Sequence, residues 1–234
     1  MLSPLPGITN SKIIIIPVYN DASTLRKVVE ELLLQSHYTI IVVDDGSAVP
    51  VSNCLTGLPF IYLRHRVNLG QGAALQTGFT YALQLQPDII ITFDADGQHI
   101  ASDIPLLIQP ILNKEADVVL GSRFWGHNDN PIPFSRNMIL KGARLINYLL
   151  CGILLSDAHN GLRAFSSAAL GKVTITENRM AHASEILFEI KRHKLRYKEV
   201  PVNIYYTDYS RQKGQSAVDS IKVLFDLILH KLFL

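Results

Sequence analysis

The sequence predicts an α/β fold in which helices flank a mostly parallel central sheet. Short apolar runs typical of buried strands alternate with longer segments in which apolar residues recur at helical spacing. Turn signals rich in Asp, Asn and Gly close several of the apolar runs. Strands that alternate with helices are usually joined by right-handed crossovers, and this order places parallel neighbours in one sheet.

The first half of the chain supplies most of these elements. Residues 12–18 are an apolar run, and Leu25 and Val29 after it share one helical face. Asp21 or Ser23 is the expected cap of that helix. The predicted strands are 12–18, 39–43, 60–63, 88–93 and 117–120, and the predicted helices are 21–35, 70–85 and 104–112.

The second half of the chain is less regular. Residues 124–133 are rich in Asn, Asp and Pro, which is typical of a loop. The remaining predicted elements are a long apolar helix over 134–155, a polar Gly-bearing segment over 156–165, a helix over 182–191, a strand over 197–204 and a basic loop over 207–215. We expect one domain over 1–215, followed by a terminal helix over 216–234.

Composition excludes several classes of protein. The chain has 234 residues, of which 48% are hydrophobic, and a net charge of +2, so neither disorder nor a nucleic-acid partner is indicated. Its two cysteines lack the spacing of a metal site. The first residues do not resemble a signal peptide, and no uncharged run reaches the roughly 18 residues of a membrane span.

The pair Asp94 and Asp96 follows the apolar run 89–91 and precedes Gly97. Open α/β sheets bind ligands at the carboxyl ends of their strands, where these two carboxylates are expected. Hard oxygen ligands of this kind suit Mg²⁺ or Mn²⁺. The same residue pattern also forms ordinary turns, so the pair alone leaves both interpretations open.

Two further acidic turns strengthen the metal interpretation. Asn20-Asp21 follows the first predicted strand and Asp44-Asp45 follows the second. Because parallel strands end at the same edge, we expect all three turns to meet in one crevice. Such a crevice suits a base or ribose together with a divalent cation.

The segment around Gly70 and Gly72 opens a predicted helix. Free N–H groups at a helix start can approach a phosphate. The segment matches neither a Walker A loop nor a complete dinucleotide-binding fingerprint. Tight packing of the helix against the sheet explains the two glycines equally well.

Seven motifs lie along the chain in this order: ProValTyrAsnAsp (17–21), ValValAspAspGlySer (42–47), AsnLeuGlyGlnGlyAlaAla (68–74), AspAlaAspGlyGlnHis (94–99), GlySerArg (121–123), AspAlaHisAsnGlyLeuArgAlaPhe (157–165) and ArgGlnLysGlyGlnSer (211–216). Taken together, they resemble family 2 glycosyltransferases of the GT-A fold, the nucleotide-diphospho-sugar transferase fold. The last two are similar to the branch that glycosylates polyprenyl phosphates, which includes dolichol-phosphate mannosyltransferase and bacterial undecaprenyl-phosphate sugar transferases.

On the donor side, the resemblance implies a nucleotide-diphosphate sugar as substrate, with UDP favoured and GDP possible. Pro17, Tyr19 and Asp21 match the segment that holds the base and ribose, although the family often has Glu at the last position. Asp44 and Asp45 match a turn that contacts the base. The donor half of the domain would span about 12–123.

The resemblance also implies a metal centre. Asp94 and Asp96 match the Mg²⁺- or Mn²⁺-binding motif, and Gln98 matches a position beside the metal. Arg123 lies in the GlySerArg motif. His99 follows the metal motif without a second histidine at ligand spacing, which favours a polar residue of the crevice over a metal ligand.

On the acceptor side, over about 124–215, Asp157 matches an acidic residue that faces the reacting centre. Arg136, Arg211 and Lys213 match basic positions near an acceptor phosphate. A polyprenyl phosphate is already anionic and needs positioning rather than a strong base. A sugar hydroxyl acceptor would instead need a base, with Asp157 as the candidate. An Asx turn at Asp157 and a solvated loop at Arg211 and Lys213 are the structural alternatives.

The resemblance therefore predicts an inverting, metal-dependent transferase in cell-surface glycan synthesis, located in the cytoplasm at the inner face of the cell membrane. A nucleotidyltransferase is a more distant alternative, since the first strand lacks its Gly-rich basic loop. A non-catalytic nucleotide-sugar-binding partner of a membrane protein is another. The broad apolar face of helix 216–234 would be covered by the domain core, by a second copy in a homo-oligomer or by a membrane surface.

Overall fold

The computed structural model describes residues 11–35, 38–124, 148, 152–153, 155–157 and 160–205. The predicted helix 216–234 and the predicted site residues Arg136, Arg211 and Lys213 lie outside these ranges. Within the described ranges, no helix has the length and apolar character needed to cross a bilayer.

Seven strands form one mixed sheet in this part of the chain, in the order β3-β2-β1-β4-β6-β5-β7. The strands are β1 (Lys12–Val18), β2 (Thr39–Asp44), β3 (Ile61–Arg64), β4 (Ile89–Thr92), β5 (Val118–Ser122), β6 (Arg163–Ser166) and β7 (Tyr197–Pro201). The helices are α1 (Ala22–Gln35), α2 (Gln71–Gln84), α3 (Ile104–Leu112), α4 (Ser167–Leu170) and α5 (His182–Arg192), with short 3-10 turns at Val51–Leu55 and Ala101–Asp103.

The sheet is mostly parallel, which confirms the predicted fold class. β1 pairs in parallel with β2 and β4, β2 with β3, and β5 with β7. β6 is the exception, because it runs antiparallel between β4 and β5. The carboxyl ends of β1, β2 and β4 therefore share one edge, while β6 begins at that edge.

Two layers of apolar side chains cover the sheet, one on each face. Ile14 and Ile16 of β1 pack with α1 and α3, whereas Ile13 and Ile15 pack with α2 and α5. Since β1 is buried on both faces, its sequence is a continuous apolar run rather than an alternating one. This explains why its predicted and observed bounds coincide.

β6 departs from the polar segment expected over 156–165. It has only four residues and opens with Arg163, so it carries little of the apolar signal of a strand. Its burial comes from β4 and β5, which pair with it on either side. Its position in the sheet is thus decided by contacts between distant segments.

Two predicted element ends are wrong. Tyr148 is helical, but Gly152, Ile153 and Leu155 are not, so the predicted extension of the helix to residue 155 is wrong. Gly152 has a φ of +67° and its N–H donates to the Tyr148 carbonyl at 2.7 Å, as at a glycine-terminated helix. The strand predicted over 197–204 ends at Pro201, although Ile204 still bridges to the metal-motif segment.

Candidate active site

The three acidic turns meet at one edge of the sheet and are tied together by hydrogen bonds. The Asn20 N–H donates to Ser47 Oγ at 2.9 Å, and Asn20 Oδ1 accepts from the Ala48 N–H at 2.9 Å. Thr24 Oγ1 donates to the Ala95 carbonyl at 2.7 Å and also lies 3.1 Å from Asp21 Oδ1. The turns after β1, β2 and β4 therefore form one connected crevice, as the parallel order predicts.

Tyr19 lies at this edge with 48% of its surface exposed, whereas Asp21 is buried. Pro17 is buried within β1 and pairs with Val43 of β2. An exposed aromatic ring beside a buried carboxylate is a suitable surface for a base and a ribose. The donor contacts assigned to Pro17, Tyr19 and Asp21 stay predictions.

Asp44 organises the second turn from a fully buried position. Its carboxylate accepts from the Ser47 N–H at 2.8 Å, the Val51 N–H at 3.2 Å and the Tyr62 hydroxyl at 2.6 Å. Burial raises the pKa of Asp44, but the bonds from Tyr62, Ser47 and Val51 outweigh it and leave the pKa below its ordinary value. The ionised form is thereby stabilised by the fold.

We expect Tyr62→Phe to destabilise the protein by about 1–3 kcal/mol near pH 7, because a buried carboxylate oxygen loses a donor. The folded-state pKa of Asp44 should rise. A depressed carboxyl pKa stabilises the fold above the unfolded value, and this stabilisation is lost as pH falls through the folded value. Because the Asp44 pKa of the variant lies closer to the unfolded value, its stability should fall less between pH 7 and 3 than that of the wild type. Urea unfolding between pH 3 and 7 measures both effects, and an unchanged pH profile would contradict this role of Tyr62.

Asp45 holds the segment that leads into α2. Its carboxylate accepts from the N–H groups of Leu69 at 2.9 Å and Gly70 at 2.7 Å, and it lies 2.7 Å from His65 Nδ1. Asp44 and Asp45 thus shape the crevice through backbone contacts. Their predicted contact with a base stays a prediction.

Gly70 and Gly72 pack against the carbonyl groups of the segment before α5. A Cβ at Gly70 would lie 2.1 Å from the Asn178 oxygen, and one at Gly72 would lie 1.9 Å from the Glu177 oxygen. The Asn178 carbonyl also accepts from the Ala73 N–H at 3.2 Å. The structure supports the packing interpretation of these glycines, and the predicted approach of Gly70 to a phosphate stays untested.

Gly70→Ala should therefore destabilise the fold far more than Gly57→Ala. Both glycines have a positive φ, +111° and +87°, but a Cβ at Gly57 meets nothing within 4 Å. Gly57→Ala should cost about 1–2 kcal/mol for its backbone conformation alone, and Gly70→Ala should cost several kcal/mol. Urea unfolding of the two variants checks this difference, which would be absent if the segment bearing Asn178 could move away freely.

Asp94 is held by groups from three other elements. Its Oδ1 accepts from Gln71 Nε2 at 3.1 Å, and its Oδ2 lies 3.2 Å from His99 Nε2. Gly161 abuts the carboxylate so closely that a Cβ there would lie 2.0 Å from Oδ2. Burial opposes ionisation, but the bond and charge of His99 and the charge of Arg163 keep the pKa of Asp94 lowered.

Asp96 is held less tightly than Asp94. Its Oδ1 accepts from the Gln98 N–H at 3.0 Å, and its pKa is raised by burial and by the charge of Asp94. A carboxylate whose ionisation is disfavoured by a neighbouring carboxylate suits a divalent cation by its chemistry, and the metal assigned to Asp94 and Asp96 stays a prediction. Gln98 is half-buried beside them.

His99 is buried and packs edge-on against the Phe93 ring, with centroids 5.6 Å apart. Its contact with Asp94 fits the expectation of a polar crevice residue. The chain that follows β7 also runs here, because the Tyr205 N–H donates to the Gln98 carbonyl at 2.9 Å and Ile204 bridges to His99. The predicted basic loop begins two residues after Tyr205 in the sequence.

Asp157 lies on the other side of β6 in a buried pair with Arg123. Arg123 Nε donates to Asp157 Oδ2 at 2.5 Å, and the Arg123 backbone N–H donates to the same oxygen at 3.1 Å. Asn160 Nδ2 contributes a third donor at 3.3 Å. Within the described part of the chain, the buried Oδ1 of Asp157 has no hydrogen-bond partner.

Among the described residues, Asn160 forms an Asx turn, in which its Oδ1 accepts from the Leu162 N–H at 2.9 Å. An Asx turn at Asp157 would use the N–H of residue 159, which lies outside the described residues, so that alternative stays a prediction. The Oδ2 of Asp157 binds a residue 34 positions earlier. The carboxylate is thus fixed through Oδ2, while its buried Oδ1 is unpaired in the described part of the chain. Its role at a reacting centre stays a prediction.

Arg163 and Gln71 are site residues that sequence reasoning missed. The Arg163 side chain is buried at the start of β6, and burial lowers its pKa to about 10 against the opposing charges of Asp94 and Asp157. It is thus a buried cation that responds to both acids. An arginine flanked by Leu162 and Ala164 was the available signal, because buried arginines are rare without a charged partner.

Comparisons with known proteins identify the family of this chain. The model of the glycosyl transferase family 2 matches residues 13–174. The UDP-N-acetylglucosamine–dolichyl-phosphate N-acetylglucosaminyltransferase of Methanococcus voltae is 34% identical over 239 residues, covering 94% of this chain and 95% of its own. The undecaprenyl-phosphate mannosyltransferase of Micrococcus luteus is 28% identical over 86% of this chain and 85% of its own.

Among solved structures, glucosyl-3-phosphoglycerate synthase from Mycobacterium tuberculosis, in complex with Mn²⁺, UDP and its product, has the same fold. It superposes with a TM-score of 0.67 at 16% identity, covering 93% of this chain and 80% of the other. The relatives' names confirm the resemblance to the polyprenyl-phosphate branch. The extent of the family match and of the sequence identity shows that the chain belongs to glycosyl transferase family 2 and is a glycosyltransferase.

Proposed function

We propose that this protein transfers a sugar from a nucleotide-diphosphate sugar to a polyprenyl phosphate, with inversion at the anomeric carbon and with a divalent metal. The observation that carries the proposal is the meeting of two acidic centres across β6. Gly161, just before that strand, lies against the Asp94 carboxylate. Within the strand, the pKa of Arg163 is raised by the charges of both Asp94 and Asp157, against the lowering effect of its burial. The proposed donor-side and acceptor-side carboxylates thus lie on either side of one short strand.

The crevice formed by the turns after β1 and β2 would hold the nucleotide. Tyr19 offers an exposed ring, and the backbone of the second turn is fixed by Asp44 and Asp45. We favour UDP over GDP, because the structural neighbour was crystallised with UDP and the M. voltae relative is named for a UDP-sugar. The identity of the sugar depends on pocket shape.

Asp94 and Asp96 would hold Mg²⁺ or Mn²⁺, with Gln98 beside them. When bound, such an ion neutralises the charge that develops on the leaving diphosphate. The chain's own contribution is to keep Asp94 ionised and oriented through Gln71 and His99. Asp96 remains the carboxylate with fewer contacts in the described structure.

The acceptor phosphate would be positioned rather than deprotonated. It is anionic at pH 7, so the transfer needs charge compensation and alignment with the anomeric carbon. Arg123 is fixed by Asp157 near the end of β5, and Arg136, Arg211 and Lys213 are proposed to add positive charge there. A glycan hydroxyl acceptor, the second candidate, would use the unpaired Oδ1 of Asp157 as a base.

A lipid acceptor would place the protein at a membrane surface, and we propose a peripheral position at the cytoplasmic face. The relatives named for dolichyl and undecaprenyl phosphates support this location through their lipid substrates. The apolar helix predicted over 216–234 is the proposed contact, and a homo-oligomer is the alternative use of its face.

Nucleotide binding tests the donor side of the proposal. Calorimetric titration of the protein with UDP and with GDP, each with Mn²⁺ or with EDTA, should show binding of UDP that is lost in EDTA. Preferential GDP binding would reassign the donor, and equal binding with EDTA would contradict the metal at Asp94 and Asp96. Turnover in any transfer assay excludes a non-catalytic binding partner.

A further inference from the structure

We propose that Glu199 is a positioning residue that fixes the Ser156–Asp157 segment and thereby sets the orientation of Asp157 and of its buried partner Arg123 on the proposed acceptor side. This inference rests on the proposed function, because it assigns a purpose to Asp157. Glu199 lies on β7, which pairs in parallel with β5, and its Cα is opposite Leu120. Although Glu199 is 42 residues away from Asp157 in the sequence, the two residues are joined by a hydrogen bond.

The Glu199 carboxylate gathers donors from two consecutive residues. Its Oε1 accepts from the Ser156 N–H at 2.8 Å, from Ser156 Oγ at 2.6 Å and from the Asp157 N–H at 3.2 Å. Its Oε2 accepts from the Ser156 N–H at 3.0 Å. These bonds fix the backbone on which the Asp157 side chain is carried.

The same segment is joined to the end of β5. Ser156 Oγ lies 2.6 Å from Ser122 Oγ, and Arg123, the next residue after Ser122, binds Asp157 through both its backbone and its side chain. Asp157 is thus held at two points. Glu199 binds its backbone N–H, and Arg123 binds its Oδ2.

The contacts of Glu199 indicate a geometric role. In the described ranges, no basic side chain lies within ion-pair distance of its carboxylate, and the donors are N–H and O–H groups. Asp157 Oδ1 is left buried and without a partner in the same ranges. Because buried polar atoms are normally paired, a fixed and unpaired oxygen points to a ligand that is absent from the free protein.

Three substitutions at Glu199 distinguish an effect on the position of Asp157 from an effect on the stability of the fold. Glu199→Gln keeps one oxygen in place and should retain transfer within about threefold of the wild type, since the Oε1 contacts survive. Glu199→Ala removes all of them, and Glu199→Asp shortens the side chain by one methylene. Both should lower kcat by about a hundredfold, the usual effect of a 1 Å misplacement at a reacting centre.

Lys198→Ala is the matched control. Lys198 is the preceding residue on β7, but it is exposed and pairs with Glu115 away from the site. We expect its kcat, acceptor KM and donor Kd to equal those of the wild type.

The experiment measures kcat and KM for polyprenyl phosphate, the Kd for UDP with Mn²⁺, and thermal unfolding for all four variants. The proposal requires kcat to fall in Glu199→Ala and Glu199→Asp while the Kd for UDP stays within twofold. Wild-type kcat in Glu199→Asp, or a parallel loss of UDP binding in every variant, would overturn it. If Glu199→Ala does not fold, the Asp and Gln variants decide. Absence of transfer by the wild type would instead overturn the proposed function.

Discussion

Asp96→Ala is expected to abolish metal-dependent donor binding and to lower transfer by at least about a thousandfold. Asp96 has fewer hydrogen-bond contacts than its neighbour Asp94 in the described structure. Asp94 already contacts Gln71 and His99. A bound metal stabilises the leaving diphosphate by several kcal/mol, and each 1.4 kcal/mol corresponds to a factor of ten in rate. Titration with UDP and Mn²⁺, together with transfer kinetics, measures both losses.

The fold should survive this substitution. The pKa of Asp96 is raised by burial and by the charge of Asp94, so removing its carboxylate relieves a repulsion. Asp88→Ala is the matched control, because Asp88 is exposed just before the opposite end of the same strand, β4. Normal turnover in Asp96→Ala, or an equal loss in Asp88→Ala, would contradict the metal assignment.

Arg123→Met should strongly destabilise the protein. The Arg123–Asp157 pair is buried, with only 10% of the arginine side chain and 1% of the aspartate side chain exposed. Removing one partner of a buried ion pair leaves an uncompensated charge and typically costs about 3–5 kcal/mol. We also expect transfer to be lost, and urea unfolding at pH 7 gives the change in stability.

The double variant Arg123→Met/Asp157→Asn provides the test of this explanation. Because it removes both charges, it should regain much of the stability lost in Arg123→Met while transfer remains absent. Additive losses in the double variant would mean that the two residues stabilise the fold independently. Recovery of transfer would contradict their proposed roles in the reaction.

The sequence predicted the parallel part of the sheet closely because its signals are local. β1 is apolar over its whole length, and the carboxylates of Asp94 and Asp96 follow directly after β4 and the buried Phe93. Since parallel strands end at one edge, the meeting of the acidic turns follows from the order of elements alone. The order of elements therefore predicts at which edge of the sheet the site lies, but it does not predict which side chains contact one another there.

The contacts that could not be predicted join segments that are far apart in sequence. Gly70 meets Asn178, and Glu199 binds the backbone of Ser156. β6 carries too short an apolar signal to be read as a strand, and its place is set by its two neighbours. Periodicity reports which face of an element is buried, but it does not report what covers that face.

The most direct test of the central claim is a transfer assay with purified protein, radiolabelled UDP-sugars, Mg²⁺ or Mn²⁺, and undecaprenyl phosphate. We expect label from one donor to enter the organic phase, to be lost with EDTA, and to be absent with Asp96→Ala. The labelled sugar would also identify the donor. No label in the organic phase with any donor, under conditions in which UDP binds, would contradict a polyprenyl phosphate acceptor.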